Sequence, residues 1–206
     1  FIRQAPSISG AGQLVGEATS TVTPWPHQVR AFKRLWEDWP PRMLIGDGVG
    51  LGKTITVGLI LRQAFLSGRA RRILILAPKA VLTQWQIELR EMLNLNWPIY
   101  DGQRLIRYPT RALTVQDRVE RKVGRDAWHK EPFVITSSQL MRRTDRAPEV
   151  LEQAEPWDLV VLDEAHHARR KGAGSSQEKG PNQLLRLMQA LQGRTEGLLL
   201  LTATPM

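Results

Sequence analysis

Short, almost wholly apolar segments alternate with amphipathic segments along this chain, and this alternation constrains the fold more than any other feature. The apolar segments include RMLI, RILILA, FVITS, LVVL and GLLLL. Segments of this kind are typical of strands buried on both faces, and the segments between them have helical spacing. The sequence therefore predicts an α/β fold, in which a parallel sheet is covered by helices on both faces.

The chain of 206 residues suits one large domain, which we place at residues 25–206. Residues 1–24 are rich in Gly, Ser, Thr and Pro, and we expect a linker or a loose N-terminal extension there. The chain begins at Phe1 without a methionine and stops just after an apolar strand. We therefore expect it to be part of a longer protein.

Basic residues exceed acidic ones, and the formal net charge of +9 favours a polyanionic partner. Residues 101–131 contain eight of the basic residues against five acidic ones. They form either an exposed basic insertion or a solvated helix, and the helix is the default interpretation of a charge run. The absence of cysteine favours a reducing cytoplasm. No apolar run approaches the length of a membrane span, so we expect no membrane partner.

The segment GDGVGLGKT, residues 46–54, lies between a predicted strand and a predicted helix. Glycines let the backbone wrap an anion, and the helix N-terminus adds about half a positive charge. In such a loop Lys53 would reach the β- and γ-phosphates of a nucleotide, and the Thr54 hydroxyl would bind Mg²⁺. The alternative is a glycine-rich turn without a ligand; the flanking strand and helix favour the phosphate loop.

Two acids follow the apolar strand LVVL, where ligands bind at the carboxyl edge of an open α/β sheet. We expect Asp163 to hold the metal through a water molecule, and Glu164 to orient and deprotonate an attacking water. Capping of the next helix is the alternative. A metal site at His166 and His167 is disfavoured, because adjacent side chains diverge and no third ligand is evident.

The segments DGVGLGKT, DEAH and TATP together resemble the motifs of superfamily-two helicases. With APKAVLTQW between them, the chain looks like the SNF-type ATPases, in the style of the bacterial HepA-like branch. The resemblance covers residues 25–206. It implies a RecA-like P-loop NTPase fold and the first lobe of a two-lobe motor, whose second lobe, with its arginine fingers, is absent from this fragment.

The resemblance also assigns roles to residues. It implies ATP binding by His27, Gln28, Asp47, Gly48, Val49, Gly50, Leu51, Gly52, Lys53, Thr54 and Ile55. It implies nucleic-acid contacts by Lys79, Ser137, Ser138 and Gln139, and coupling between the two sites by Thr202 and Thr204. Trp85 lies on the apolar face of its helix, so we interpret it as core and not as a stacking platform.

The implied function is a DNA-dependent ATPase that uses ATP and Mg²⁺ to translocate on double-stranded DNA and remodel protein–DNA complexes. Two alternatives remain open: a strand-separating DEAH-type helicase on DNA or RNA, and a nucleotide-dependent nucleic-acid-binding scaffold. We expect the isolated lobe to hydrolyse ATP weakly or not at all. We expect a bacterial cytoplasmic protein associated with the nucleoid, and a role in anti-phage defence is a further possibility.

Overall fold

The computed structural model describes residues 7–46, 52–108, 119–170 and 180–203. Its strands are β1 (Arg42–Ile45), β2 (Ile73–Ala77), β3 (Ile99–Tyr100), β4 (Arg104–Arg107), β5 (Val119–Lys122), β6 (Phe133–Ser137), β7 (Trp157–Leu162) and β8 (Thr195–Leu201). They form one eight-stranded sheet in the order β1-β8-β7-β2-β6-β3-β4-β5. The apolar segments of the sequence are its strands β1, β2, β6, β7 and β8, as predicted.

The larger part of the sheet is parallel, as predicted, and an antiparallel pair that we did not predict makes the whole sheet mixed. The strands from β1 to β3 in the sheet order pair in parallel, whereas β4 runs antiparallel to β3 and β5 antiparallel to β4. A tight turn joins β3 to β4, in which the Asp101 carboxylate accepts hydrogen bonds from the backbone N–H groups of Gln103 and Arg104. Because a parallel connection needs a long crossover, a turn this short requires an antiparallel pair.

The basic segment does not form the solvated helix that was our default interpretation. Its described residues contain β4, β5 and a 3₁₀ turn at Trp128–Lys130. These described residues are 101–108 and 119–131. Opposite charges pair across the two strands, since Arg104 Nη1 lies 2.6 Å from Glu120 Oε2. Such cross-strand pairs stabilise strands of low hydrophobicity. Residues 109–118 lie outside the described ranges.

Two helices precede β1, and the other described helices lie in connections between strands. The helices are α1 (Val15–Ala18), α2 (Pro26–Glu37), α3 (Lys53–Ser67), α4 (Leu82–Leu93), α5 (Ser138–Met141) and α6 (Gln183–Leu191). Helix α3 ends before Gly68, whose φ of 71° is a left-handed conformation that favours glycine. In the described part of the chain, every helix is too short or too polar to span a membrane.

Buried apolar side chains lie on both faces of the sheet, as predicted. One layer packs α2, α3 and α4 against the sheet, and Phe32, Leu59 and Leu89 are fully buried in it. The opposite layer includes α6 and contains Leu187 and the fully buried Leu191. Two helical layers hold the strands rigidly, so residues at the strand ends are presented in fixed positions.

The N-terminal segment is packed on the domain, whereas the sequence suggested a linker or a loose extension. The side chain of Gln63 accepts a hydrogen bond from Gly16 N at 2.7 Å and donates one to the Ser7 carbonyl at 2.9 Å. The buried Arg62 donates to the carbonyl oxygens of Thr19 and Leu93. Polar side chains of α3 thus hold residues 7–24, which apolar periodicity does not reveal.

Candidate functional site

A cleft of about 420 Å³ opens at the carboxyl edge of the sheet, between the start of α3, helix α4 and the residues that follow β7. The predicted site residues that line it are Gly52, Lys53, Thr54, Ile55, Asp163 and Glu164. The structure therefore brings the glycine-rich end of one element and the acidic end of another to one place. Asp47–Leu51 and Thr204 lie outside the described residues.

The start of α3 is shaped for an approaching ligand. Gly52 has a φ of 75°, a left-handed conformation that favours glycine. A side chain at this position would also collide with Nε2 of Gln28. Lys53 and Thr54 follow at once in the first turn, where backbone N–H groups and the helix dipole attract anions.

Asp163 and Glu164 stand at the end of β7. Asp163 N donates to the carbonyl of Leu76 at 2.8 Å, which extends the parallel pairing by one residue. The Asp163 carboxylate then accepts Glu164 N at 2.8 Å. Glu164 has a φ of 52°, which costs a residue with a side chain about 1–2 kcal/mol and is typical of functional sites. The strain re-aims the second acid away from the strand direction.

His166 connects the acidic site to the end of β8, a link that our sequence analysis did not identify. Its Nδ1 lies 3.2 Å from Glu164 Oε2 and 3.2 Å from Thr202 Oγ1. Thr202 N in turn donates to the Ile45 carbonyl at 3.0 Å. The available signal in the sequence was that DEAH and TATP each follow an apolar strand. In the structure these strands, β7 and β8, are parallel neighbours.

The amide of Gln28 joins the start of α2 to the start of α3. Its Oε1 accepts Trp25 N at 2.8 Å, and its Nε2 donates to the Gly52 carbonyl at 3.4 Å. The neighbouring His27 ring packs edge-to-face with Trp25, at 5.6 Å between centroids. Base recognition by His27 and Gln28 stays a prediction, but the contacts place Gln28 directly against the phosphate-loop end.

Trp85 is core, as predicted, with 3% of its surface exposed. Helical periodicity could not predict its polar contact: the indole Nε1 donates to Asp163 Oδ2 at 2.8 Å. Trp85 also lines the cleft. Trp85 is therefore a core residue by its packing, and the single donor of its side chain also makes it part of the site.

The four predicted nucleic-acid residues lie together at the carboxyl ends of β2 and β6. The side-chain oxygen of Gln139 accepts Lys79 N at 3.0 Å and the Ser137 hydroxyl at 2.9 Å. Ser137 and Ser138 are buried, whereas Lys79 and Gln139 are exposed. Of these four residues, the exposed Lys79 and Gln139 are accessible to the backbone of a bound nucleic acid.

The parallel sheet, the glycine-led helix and the acidic strand end together define a RecA-like P-loop fold of the NTPase class. The family model of the SNF2-related domain matches residues 27–206, and the chain belongs to that family.

Two solved structures from Sulfolobus solfataricus are similar to this chain. The SWI2/SNF2 ATPase core in complex with dsDNA has a TM-score of 0.60 and 18% identity, over 90% of this chain and 33% of that one. The SWI2/SNF2 ATPase core domain has a TM-score of 0.58 and 18% identity, over 100% of this chain and 36% of that one. The chain thus spans about a third of the length of either relative.

Proposed function

We propose that this chain is the ATP-binding lobe of a DNA-dependent ATPase that translocates on double-stranded DNA and remodels protein–DNA complexes. The observation that carries the proposal is the cleft shared by Lys53, Thr54, Asp163 and Glu164. Membership of the SNF2-related domain family supports ATP hydrolysis as its chemistry.

The donor set of the cleft fits Mg²⁺ bound together with a nucleotide. Mg²⁺ usually takes one or two protein oxygen ligands and completes its shell with water and phosphate oxygens. Thr54 offers a hydroxyl and Asp163 a carboxylate on the same cleft. The described residues contain no group of three or more acids and histidines that could hold a metal alone. The ion would therefore depend on the phosphates, which it would help to neutralise.

The side chains divide the work of phosphate transfer to water. Lys53 and the first N–H groups of α3 hold the phosphate tail. Glu164 accepts a proton from the attacking water and orients it. His166 lies 3.2 Å from both Glu164 and Thr202. A change in the position of the Glu164 carboxylate is therefore transmitted through His166 to the end of β8. Lys53, Asp163 and Glu164 are accordingly the catalytic residues of the proposal.

The nucleic-acid track lies along the same edge of the sheet. Lys79 and Gln139 are its accessible groups, and contacts of this kind follow the DNA backbone without reading sequence. One similar structure is described as a complex with dsDNA. The net charge of +9 agrees with a polyanionic track. A second lobe of the full-length chain would close the cleft, and we place the protein in the bacterial cytoplasm at the nucleoid.

The test is the ATPase rate of the full-length chain with duplex DNA, single-stranded DNA and RNA in parallel. We expect duplex DNA to stimulate most, and Lys53→Ala to abolish the rate because it removes the phosphate-binding charge. Lys33→Ala, an exposed lysine of α2, is the matched control and should leave the rate unchanged. Strand displacement without stimulation by duplex DNA would instead favour the DEAH-type helicase.

A further inference from the structure

We propose that Trp85 is a positioning residue for metal binding: its indole N–H fixes the carboxylate of Asp163 in the orientation that Mg²⁺–nucleotide requires. The inference rests on the proposed function and deepens it. Trp85 would touch neither nucleotide nor metal in this role, and it would act through Asp163 alone.

Within the described part of the chain, each oxygen of the Asp163 carboxylate has one donor. Oδ2 accepts the Trp85 indole N–H at 2.8 Å, and Oδ1 accepts Glu164 N at 2.8 Å. A carboxylate oxygen has two lone pairs, so each oxygen keeps a lone pair for a cation. The two bonds together determine the rotation of the carboxylate plane. The group is thus oriented before any ligand arrives.

An indole is well suited to this task because it is a neutral donor that cannot accept. A lysine or arginine would also orient the carboxylate, but its charge would cancel the attraction for a cation. Among the described residues, no arginine or lysine forms an ion pair with Asp163. The negative charge of the carboxylate therefore remains available at the cleft.

The indole is itself held rigidly. Trp85 is 3% exposed, within the apolar layer on one face of the sheet. The next residue of α4, the fully buried Gln86, donates to the carbonyls of Trp97 at 2.7 Å and Ile106 at 2.9 Å. It also accepts Tyr108 N at 2.9 Å. These three bonds fix the helix that carries the indole, so the donor position is set by the fold.

The chain provides a matched control in Trp157, at the beginning of the strand that ends before Asp163. Trp157 is fully buried, and its Nε1 has no hydrogen-bond acceptor within the described residues. Replacing either tryptophan by phenylalanine removes similar apolar volume. Only at position 85 does the change also remove a hydrogen bond to the site.

The experiment measures the Mg²⁺ concentration for half-maximal binding of a slowly hydrolysed ATP analogue to the full-length chain. Loss of an outer-shell partner costs about 10–100-fold in metal affinity, so Trp85→Phe should raise this concentration at least about tenfold. Binding measured in excess chelator should not change. Trp157→Phe should leave both quantities as in the wild type.

A second variant replaces Trp85 by benzothienylalanine, which keeps the bicyclic shape and substitutes sulfur for the N–H. It should reproduce the tenfold rise, and it decides the matter if Trp85→Phe fails to fold. The inference is overturned if this variant binds Mg²⁺ like the wild type, or if Trp85→Phe and Trp157→Phe shift equally. A wild-type protein without Mg²⁺-dependent nucleotide binding would overturn the proposed function itself.

Discussion

Among the described residues, two carboxylates accept a hydrogen bond from an indole N–H, yet they lie in opposite environments. Trp85 Nε1 donates to Asp163 at 2.8 Å, and Trp128 Nε1 donates to Glu149 at 2.7 Å. Asp163 is partly exposed at the cleft, whereas Glu149 is 1% exposed. The same local contact therefore serves two purposes, which the surrounding charges distinguish.

Among the residues that the structure describes, arginines pair with Glu149, whereas Asp163 has no ion pair with an arginine or lysine. Glu149 Oε1 lies 2.6 Å from Arg125 Nε and 3.2 Å from Arg146 Nη1. Burial raises the pKa of the neighbouring Tyr100, and the charge of Glu149 raises it further. A carboxylate with its charge already paired holds the segment after β5, with Arg125 and Trp128, against the segment before β7. A carboxylate without such a pair, on an open edge, is suited to bind a cation that arrives with a ligand.

The largest effect is expected at the cleft. Asp163→Asn in the full-length chain should lower the DNA-stimulated ATPase rate by about a thousandfold, because a metal-binding charge is lost. The free energy of unfolding should fall by only about 1 kcal/mol, since the asparagine oxygen still accepts from Trp85 whereas its NH2 group cannot accept from Glu164 N. Steady-state kinetics and urea unfolding measure the two quantities. A large loss of stability would place Asp163 in the same class as Glu149.

The converse change should affect stability alone. Glu149→Ala leaves the Arg146 guanidinium and the Trp128 N–H without their carboxylate acceptor, and it should lower the free energy of unfolding by about 3 kcal/mol. Nucleotide affinity of the folded variant should equal that of the wild type. If Glu149→Ala weakened nucleotide binding without loss of stability, the distinction between the two carboxylates would fail.

The smallest expected effect is on the pH dependence of stability, through His129, whose pKa the Glu149 charge influences. Burial lowers the pKa of His129 from its ordinary 6.5, and Lys130 and Arg72 lower it further, while Glu149 and Asp126 act in the opposite direction. The unfolded chain therefore binds a proton more readily, and stability should fall as the pH decreases below about 6.5. His129→Gln should weaken this dependence in urea unfolding between about pH 7 and about pH 5. An unchanged pH profile would show that His129 is not its source.

Much of the fold and the cleft could be predicted because they depend on repeated apolar patterns and on the glycine loop. The alternation of buried strands with helices predicts the central sheet, and its carboxyl edge predicts where Lys53 and Asp163 meet. The β4–β5 pair could not be predicted this way. Its residues VERK have no apolar alternation, and backbone pairing with β4 and the Arg104–Glu120 ion pair stabilise them as a strand.

Single polar atoms of core residues were the other feature that sequence patterns did not reveal. Periodicity correctly placed Trp85 in the core, but the acceptor of its N–H depends on how α4 lies against β7. Arg62 and Gln63 likewise hold the N-terminal segment by hydrogen bonds. A helical pattern predicts whether such side chains are buried or exposed, but not which groups they bind. Tertiary contacts of this kind follow from packing between distant elements.

The most direct test of the account is a crystal structure of the protein with Mg²⁺ and a slowly hydrolysed ATP analogue. The account predicts the phosphate tail against the first turn of α3 at Lys53, with the metal between Thr54 and Asp163 and a water within reach of Glu164. A nucleotide bound elsewhere, or a metal remote from Asp163, would contradict it.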